Sequence, residues 1–378
     1  MEVEKSLYYW NDKPKIDIKK NNSNNDYNVV DLFCGAGGIT CGLHMTKKFR
    51  TILANDIFIP ALETYKLNNK TVSTILGDVR KITEDMYKEV IKNNKIHLVT
   101  AGVPCQGFSL SNKKRHINDE RNFLFLEVIK FVNIFNPDIV LIENVSGMKS
   151  LNKGSFVDDI SKALSSAGAE GYIVKNELLN AADYGVPQLR KRLIFVAVKK
   201  GLSEFKFPLP EFGINKQKYR TIEDAISDLP ELGNNMEKIN YEKNPSSEYQ
   251  KILRGNEYIL KNHKSPNHPL DTIKKIKVTK PGEPMYENYK QRIRLKWDIQ
   301  SPTQVAGGIR PQFQFGHPEQ NRGLTIRERA RIQSFPDNYE FMGGIVQSRV
   351  QTGNAVPPFL AKAIGLELIK VLDKKYKG

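Results

Sequence analysis

The feature that most constrains the fold is an alternation of apolar strand and short helix between residues 27 and 145. Short apolar runs at 27–33, 51–55, 73–76, 96–102 and 138–145 lead to Gly, Asp, Cys or Glu residues. Strands that alternate with helices favour α/β architecture, with a doubly wound, mostly parallel sheet and helices on both faces. In such sheets, ligands bind beyond the carboxyl ends of the strands. The sequence therefore predicts a site built from the residues that follow each strand.

Three of these strand ends indicate a nucleoside-containing cofactor. The glycine-rich turn 35–38 lets backbone N–H groups approach a polar ligand, but Thr40 stands where a dinucleotide fingerprint has its third glycine. Asp56, 21 residues after Gly35, is suited to accept hydrogen bonds from ribose hydroxyls, and Asp78 from an adenine amino group. Either aspartate alone is equally well explained as a helix N-cap. Together they favour an adenosine-containing cofactor without a pyrophosphate.

Cys105 is the candidate nucleophile. A free cysteine is more often a buried apolar residue, but Glu143 at the adjacent strand end and the basic segment 188–192 favour a reactive cysteine here, whose thiolate the arginines would stabilise. An ionised Glu143 would oppose the thiolate, so we expect it to act on the substrate. A thiolate, a carboxyl group and an adenosyl sulfonium together are suited to methylation of a pyrimidine at C5. Sulfur attacks C6, C5 takes the methyl group, and loss of the C5 proton expels the cysteine.

The charge balance favours a polyanionic partner. Lys and Arg total 58 against 42 Asp and Glu, a net charge of +16, which favours nucleic acid ahead of a membrane surface or mere solubility. The three cysteines lack CxxC spacing and the six histidines are scattered, so we predict no metal, no disulfide framework and a reducing cytoplasm. Apolar runs are too short to span a bilayer, and the N-terminus lacks a signal-peptide pattern.

The composition also changes along the chain. Residues 1–27 are rich in Lys, Asn and Asp and are interpreted as an N-terminal extension. Residues 28–200 together with 350–378 are predicted to form the first domain, and the Pro-, Lys- and Asn-rich stretch 201–349 a smaller second domain. The last helix is predicted to pack back onto the first domain through one apolar face. That face carries Leu360, Ile364, Leu368 and Leu372.

An ordered series of motifs across most of residues 29–373 resembles the cytosine-C5 DNA methyltransferase family. The motifs are DLFCGAGG (31–38), the acidic strand end at Asp56, GDV (77–79), GVPCQGFS (102–109), ENV (143–145), GVPQLRKR (185–192), RERARIQSFPD (327–337) and GNAVPP (353–358). A chance match to one motif is easy, but the whole series in this order is specific. The resemblance implies a Rossmann-like methyltransferase fold and DNA (cytosine-5-)-methyltransferase activity, with target recognition and a hinge in 201–349.

The resemblance also assigns roles to individual residues, with S-adenosylmethionine as the cofactor and methyl donor. The implied cofactor-binding residues are Phe33, Gly35, Gly37, Gly38, Asp56, Ile57, Asp78, Val79, Asn354 and Val356. Cys105 is implied as the covalent nucleophile and Glu143 as the group at N3 and the exocyclic amine of a flipped cytosine. Arg190 and Arg192 are implied to arrange the pocket, and DNA contacts are expected from Ser109, Gln188 and Arg327. Ile57 departs from the pattern, because many members carry a large aromatic residue there.

The partner expected from this resemblance is double-stranded DNA, bound by a cytoplasmic monomer of a bacterial restriction-modification system with a cognate endonuclease for the same site. Three alternatives stay open. The transfer-RNA branch of the family carries a Cys-Phe-Thr signature in its target domain, whereas no cysteine follows Cys105. A binding protein without catalysis is disfavoured by the intact Cys105, Glu143 and pocket arginines. A Rossmann dehydrogenase is disfavoured by the missing third glycine.

Overall fold

The computed structural model describes residues 6–20, 26–104, 124–148, 155–306 and 314–378. Cys105 and Ser109 therefore lie outside the described residues. The chain divides into two compact units. The first unit comprises Met1–Asn180, Lys191–Leu209 and Leu360–Gly378, and the second comprises Ala181–Arg190 and Pro210–Phe359.

The first unit is built on one eight-stranded sheet. Its strands are β1 (Lys15–Asp17), β2 (Tyr27–Leu32), β3 (Phe49–Asp56), β4 (Ser73–Leu76), β5 (Leu98–Gly102), β6 (Ile139–Val145), β7 (Tyr172–Asn180) and β8 (Lys191–Lys199). They are arranged in the order β1-β4-β3-β2-β5-β6-β8-β7. The pairs β3–β4, β2–β3, β2–β5 and β5–β6 are parallel, and the outer pairs are antiparallel. The predicted mostly parallel α/β sheet is confirmed.

The strand order places a topological switch point between β2 and β5. From β2 the chain builds outward through β3 and β4, then crosses to the other side to form β5 and β6. Every residue of β2 is buried, as expected for a central parallel strand covered on both faces. The carboxyl ends of these strands therefore define the edge where a ligand is expected to bind.

The helices of the described residues are found in both units. They are α1 (Gly38–His44), α2 (Ile59–Asn68), α3 (Glu84–Ile91), α4 (Phe125–Phe135), α5 (Ser155–Ser165), α6 (Ile222–Ile226), α7 (Glu248–Arg254), α8 (Leu270–Val278), α9 (Ile326–Ile332), α10 (Ile345–Asn354) and α11 (Pro358–Tyr376). The predicted apolar face of α11 is buried at all four positions. A Cβ on Gly365 would lie 2.9 Å from the side chain of Leu43, so α11 packs closely against the α1 region.

The second unit combines an apolar core with buried ion pairs. The core contains Ile222, Tyr249, Leu253 and Ile332. Capping boxes begin α6, α7 and α9, which explains why these short helices form. Arg331 of α9 is fully buried and binds Asp228 and Asp337 at 2.5 and 2.6 Å. Removing the arginine alone would leave two buried carboxylates without their charge partner.

Two strands of the first unit were not predicted from the sequence. Strand β1 lies inside the segment interpreted as an extension and pairs antiparallel with β4. Strand β7 pairs with β8 at the opposite edge, and only two of its nine residues are buried. Within the described parts of the chain, no helix is long and apolar enough to cross a membrane. In the same ranges, no three His, Cys, Asp or Glu side chains are placed to hold a metal ion.

Candidate active site

The glycine-rich turn joins β2 to α1 at the switch point. Phe33, Gly35 and Gly37 all have positive φ, at 54°, 54° and 82°. The Cys34 N–H donates to the Asn55 carbonyl at 2.9 Å, which ties the turn to the end of β3. A Cβ built on Gly35 would meet no atom within 4 Å, so the backbone there faces open space. The turn is thus shaped to let a ligand approach the main chain.

Asp56 fixes the turn from the end of β3. Its Oδ2 accepts a hydrogen bond from the Gly35 N–H at 2.7 Å, and its Oδ1 accepts one from the Phe58 N–H at 2.7 Å. Burial raises the pKa of Asp56, and these backbone N–H groups oppose that rise. Because a carboxylate offers about four acceptor positions, Asp56 retains capacity for ligand hydroxyl groups.

Asp78 stands at the end of β4 and is buried. Its carboxylate caps a 3-10 turn by accepting from the Arg80 N–H at 3.0 Å, so the N-cap interpretation is correct for this residue. The Arg80 guanidinium also binds it, with Nη2 at 2.6 Å from Oδ2. Burial raises the pKa of Asp78, but the Arg80 hydrogen bonds outweigh this and hold it below its ordinary value. The Arg80 side chain is 44% exposed and the Asp78 side chain 7% exposed, so this pair lies at the boundary between solvent and interior.

Asp31 is a buried carboxyl group that sequence reasoning missed. It lies in β2 and accepts hydrogen bonds from the hydroxyls of Thr40 and Thr100, both at 2.6 Å. Thr40 therefore has a structural reason to replace the third glycine, because its hydroxyl ties α1 to β2. Burial raises the pKa of Asp31 to about 6. The sequence signal was a charged residue inside an otherwise apolar strand.

Replacing Asp31 with asparagine should change how stability depends on pH. Because burial raises the pKa of Asp31 from 3.8 to about 6, the folded protein retains a proton that the unfolded chain has lost in this window. Its free energy of unfolding should therefore fall as pH rises from about 4 to about 6, by about 2 to 3 kcal/mol. Asp31→Asn should lack this fall. Urea unfolding midpoints at several pH values measure it, with Asp159→Asn at an exposed position of α5 as the control.

Glu143 and Arg192 form a buried ion pair on neighbouring strands. Arg192 Nε lies 2.6 Å from Glu143 Oε1, and each side chain is about one-tenth exposed. The pair is diagonal on one face of the antiparallel ladder, since Val145 is opposite Arg192. Burial lowers the pKa of Arg192, and the charge of Glu143 opposes this. The arginine thereby orients one carboxylate oxygen, Oε1.

The second carboxylate oxygen of Glu143, Oε2, faces β5, the strand that leads to Cys105. Gly102, the last residue of β5, is paired with Glu143 in the parallel register. A Cβ built on Gly102 would lie 4.0 Å from Glu143 Oε2 and 3.4 Å from the Phe33 carbonyl. The described chain continues from Gly102 to Pro104, one residue before Cys105. The glycine turn, Asp56 and Glu143 thus lie along one edge of the sheet.

A family model for the C-5 cytosine-specific DNA methylases matches residues 27–370. The chain belongs to this family. It is a DNA (cytosine-5-)-methyltransferase, as the ordered motifs predict.

Relatives of known name are similar along nearly the whole methylase. The type II methyltransferase M1.HphI of Haemophilus parahaemolyticus is 33% identical over 354 residues, covering 90% of this chain and 86% of that protein. M.DdeI of Desulfomicrobium norvegicum is 34% identical over 369 residues, with 89% and 87% covered. A solved structure assigned as a DNA modification methyltransferase encoded in a prophage (E. coli) has a TM-score of 0.77 at 25% identity, covering 92% of this chain and 100% of that one. The S. pombe Dnmt2 methyltransferase shares the fold, with a TM-score of 0.56 at 18% identity and coverage of 93% and 100%.

Arg190 acts within the second unit of the methylase. Its guanidinium is fully buried and donates to the carbonyls of Gln304 at 2.9 Å and Gly353 at 2.8 Å. Gly353 has no room for a side chain, because a Cβ there would lie 2.3 Å from the Val305 carbonyl oxygen. Arg190 thus holds two backbone segments in place.

Two residues predicted to contact DNA are instead placed in the interior of the second unit. Gln188 is fully buried and accepts a hydrogen bond from the Gln304 N–H at 3.1 Å. Arg327 is also fully buried and donates to three carbonyl groups. Because neither side chain reaches the surface, neither is positioned to contact DNA in this structure. The arginines of the RERARIQSFPD motif instead form buried hydrogen bonds and ion pairs inside the second unit.

The remaining predicted cofactor residues are divided between the two units. Ile57 and Val79 directly follow Asp56 and Asp78 in the first unit, and Val79 is buried. Gly38 is the first residue of α1. In the second unit, α10 ends at Asn354, whose side chain is exposed, and Val356 is buried. A cofactor role for Asn354 and Val356 stays a prediction.

Proposed function

We propose that the methylase transfers a methyl group from S-adenosylmethionine to C5 of a flipped cytosine in a specific duplex DNA sequence. The reaction proceeds through a transient bond between Cys105 and C6 of the base. The observation that carries this proposal is the buried pair of Glu143 and Arg192, located beside the strand that leads to Cys105. Such a pair presents an oriented carboxyl group to a substrate held next to the nucleophile.

The side chains divide the chemistry between them. The Cys105 thiolate adds to C6, and the electron pair of the C5–C6 double bond becomes available at C5. Glu143 hydrogen-bonds N3 and the exocyclic amine, where it offsets the charge that develops on the ring. After C5 has taken the methyl group, a base removes the C5 proton and the bond between sulfur and C6 breaks. Arg192 is a positioning residue, because it acts on the base through Glu143.

The ends of β2, β3 and β4 are suited to hold S-adenosylmethionine. The open space beside Gly35 and the remaining acceptor capacity of Asp56 fit a ribose close to the main chain. Asp78 follows the next strand and would accept from the adenine amine after exchange with Arg80. The bound cofactor supplies an activated methyl group on a sulfonium centre. Phe33 and the turn would surround its methionine part.

Replacing Asp56 with asparagine should weaken cofactor binding by about 10- to 100-fold, because hydrogen bonds to a charged acceptor are each worth about 1.5 to 3 kcal/mol. The amide also presents an N–H group where the carboxylate accepts from the main chain. Isothermal titration with S-adenosylhomocysteine measures the dissociation constant. Asp159→Asn, at an exposed position of α5, is the matched control. An unchanged dissociation constant for Asp56→Asn would reject its ribose role.

DNA is the proposed partner. Extrusion of the base costs a few kcal/mol, and phosphate contacts by a protein of net charge +16 help offset that cost. Target recognition is proposed for residues 201–349, most of which belong to the second unit. The names of the type II relatives support a place in a cytoplasmic restriction-modification system, with a cognate endonuclease that cleaves the same sequence. We propose that the methylase acts as a monomer.

Bisulfite sequencing tests the activity, the modified base and its context in one experiment. DNA from cells that lack other cytosine methylation and express the methylase should show cytosines protected in one short sequence. A parallel assay with tritiated S-adenosylmethionine should label duplex DNA and leave transfer RNA unlabelled. Unprotected DNA from cells containing the folded protein would reject the proposal, and labelled transfer RNA would favour the transfer-RNA branch.

A further inference from the structure

The N-terminal segment, defined here as residues 7–17, pairs with the chain that follows Asp56. The Tyr9 N–H donates to the Ile57 carbonyl at 2.9 Å, and the Ile59 N–H donates to the Leu7 carbonyl at 2.9 Å. The Tyr8 ring packs against Phe58 with ring centroids 4.9 Å apart. The N-terminal segment is therefore attached to the loop of the proposed ribose site by main-chain and ring contacts.

The same segment continues past the loop that carries Asp78. Lys81 Nζ donates to the Trp10 carbonyl at 3.1 Å and pairs with Asp12 at 2.7 Å. Pro14 lies so close to Gly77 that a Cβ there would be 2.9 Å from the Pro14 Cβ. The segment then enters β1, which pairs with β4. One stretch of chain thus contacts the residues next to both proposed nucleoside-binding carboxylates.

Trp10 presents an aromatic surface at this position. Its side chain is 51% exposed, although indole rings are costly to leave in water. Its ring is stacked near Tyr8, with centroids 6.0 Å apart and planes inclined at 28°. Ile57, the residue after the proposed ribose acceptor, is aliphatic and partly buried. A purine is best held by a flat apolar surface, and Trp10 offers one next to Tyr8, whose ring packs against Phe58.

We propose that the N-terminal segment forms one wall of the nucleoside part of the cofactor site, and that the Trp10 indole packs against the adenine of the cofactor. This inference rests on the proposed use of S-adenosylmethionine. The segment consequently does more than cover the edge of β4, which an antiparallel strand alone would do. Residues 1–27 then belong functionally to the catalytic domain.

Tryptophan fluorescence gives a direct test, because the chain has two tryptophans and Trp297 belongs to the second unit. In the Trp297→Phe variant, Trp10 is the sole indole. Addition of S-adenosylhomocysteine should quench or shift its emission in a saturable way. Adenosine should cause the same change at higher concentration, whereas methionine should cause none.

Affinity gives a second measurement. Trp10→Ala should raise the dissociation constant of S-adenosylhomocysteine by about 5- to 20-fold, and Trp10→Phe should restore most of the loss, because a base stacks on either ring. Thermal unfolding verifies that both variants fold, as expected for a half-exposed side chain. The affinity for methionine should not change in either variant.

The outcomes separate this inference from the proposed function. S-adenosylhomocysteine could bind the parent methylase and Trp10→Ala equally well and leave the Trp10 emission of Trp297→Phe unchanged. That result would reject the role of the N-terminal segment in the nucleoside site, and the cofactor assignment would stand. If the parent protein binds no S-adenosylhomocysteine, both proposals fail together. A loss of affinity in Trp10→Ala that phenylalanine does not restore would contradict the stacking of adenine on this ring.

Discussion

Cys105→Ala should abolish methyl transfer, with a loss on the order of 10⁴-fold or more, because a covalent nucleophile has no substitute in the chain. Binding of S-adenosylhomocysteine should be retained within about threefold, since the proposed cofactor contacts come from other strand ends. Transfer of tritiated methyl groups to duplex DNA measures the first quantity, and titration calorimetry measures the second. Turnover of the variant at the parent rate would reject Cys105 as the nucleophile.

The two other cysteines provide matched controls for this experiment. Burial raises the pKa of Cys41 to about 12 and raises that of Cys34 well above its ordinary value, so both are thiols at neutral pH. A duplex containing 5-fluorocytosine should trap a covalent adduct with the parent protein and with Cys41→Ala, but not with Cys105→Ala. The fluorine cannot leave as the C5 proton does, so the bond between sulfur and C6 persists. An adduct on Cys105→Ala would show that another group attacks the base.

The residues after the strands could be predicted from the sequence because the information is local. A run of apolar residues followed by Gly, Asp or Glu identifies a strand end, and parallel strands bring those ends to one edge. Gly35, Asp56 and Glu143 are all found along that edge. Arg192 could be proposed as a pocket residue from its motif, but its pairing with Glu143 depends on the β6–β8 register, which no local pattern contains.

Other features depend on contacts between distant residues and were missed. Strand β1 has only three residues in a polar context, and it forms because β4 offers an unpaired edge. The family resemblance implied a DNA contact for Arg327. Its burial is instead stabilised by the carbonyl groups of Lys261, Pro336 and Tyr339, which accept its hydrogen bonds, and by Asp337 at 3.6 Å. A basic residue in a motif therefore does not by itself indicate a phosphate contact.

Glu143→Gln should slow methyl transfer by about 10²- to 10⁴-fold, the range expected for loss of a general acid or base. Glutamine can still accept a hydrogen bond from the cytosine amine but cannot transfer a proton at N3. Dissociation constants for DNA and S-adenosylhomocysteine should change little, so the effect should appear in kcat. Single-turnover methyl transfer under saturating DNA measures it. Glu127→Gln, which breaks a more exposed pair with Lys130, is the control.

The partner of Glu143 allows a stricter form of the same prediction. Arg192→Gln should also slow transfer, because Glu143 loses the group 2.6 Å away that orients it. Removing either member of a buried pair can cost about 3 to 5 kcal/mol of folding stability, so rates are compared only below the unfolding transition of each variant. The Glu143→Gln, Arg192→Gln double variant should be little slower than Glu143→Gln alone, since Arg192 acts through the carboxylate. Full additivity of the two losses would mean that Arg192 contacts the base itself.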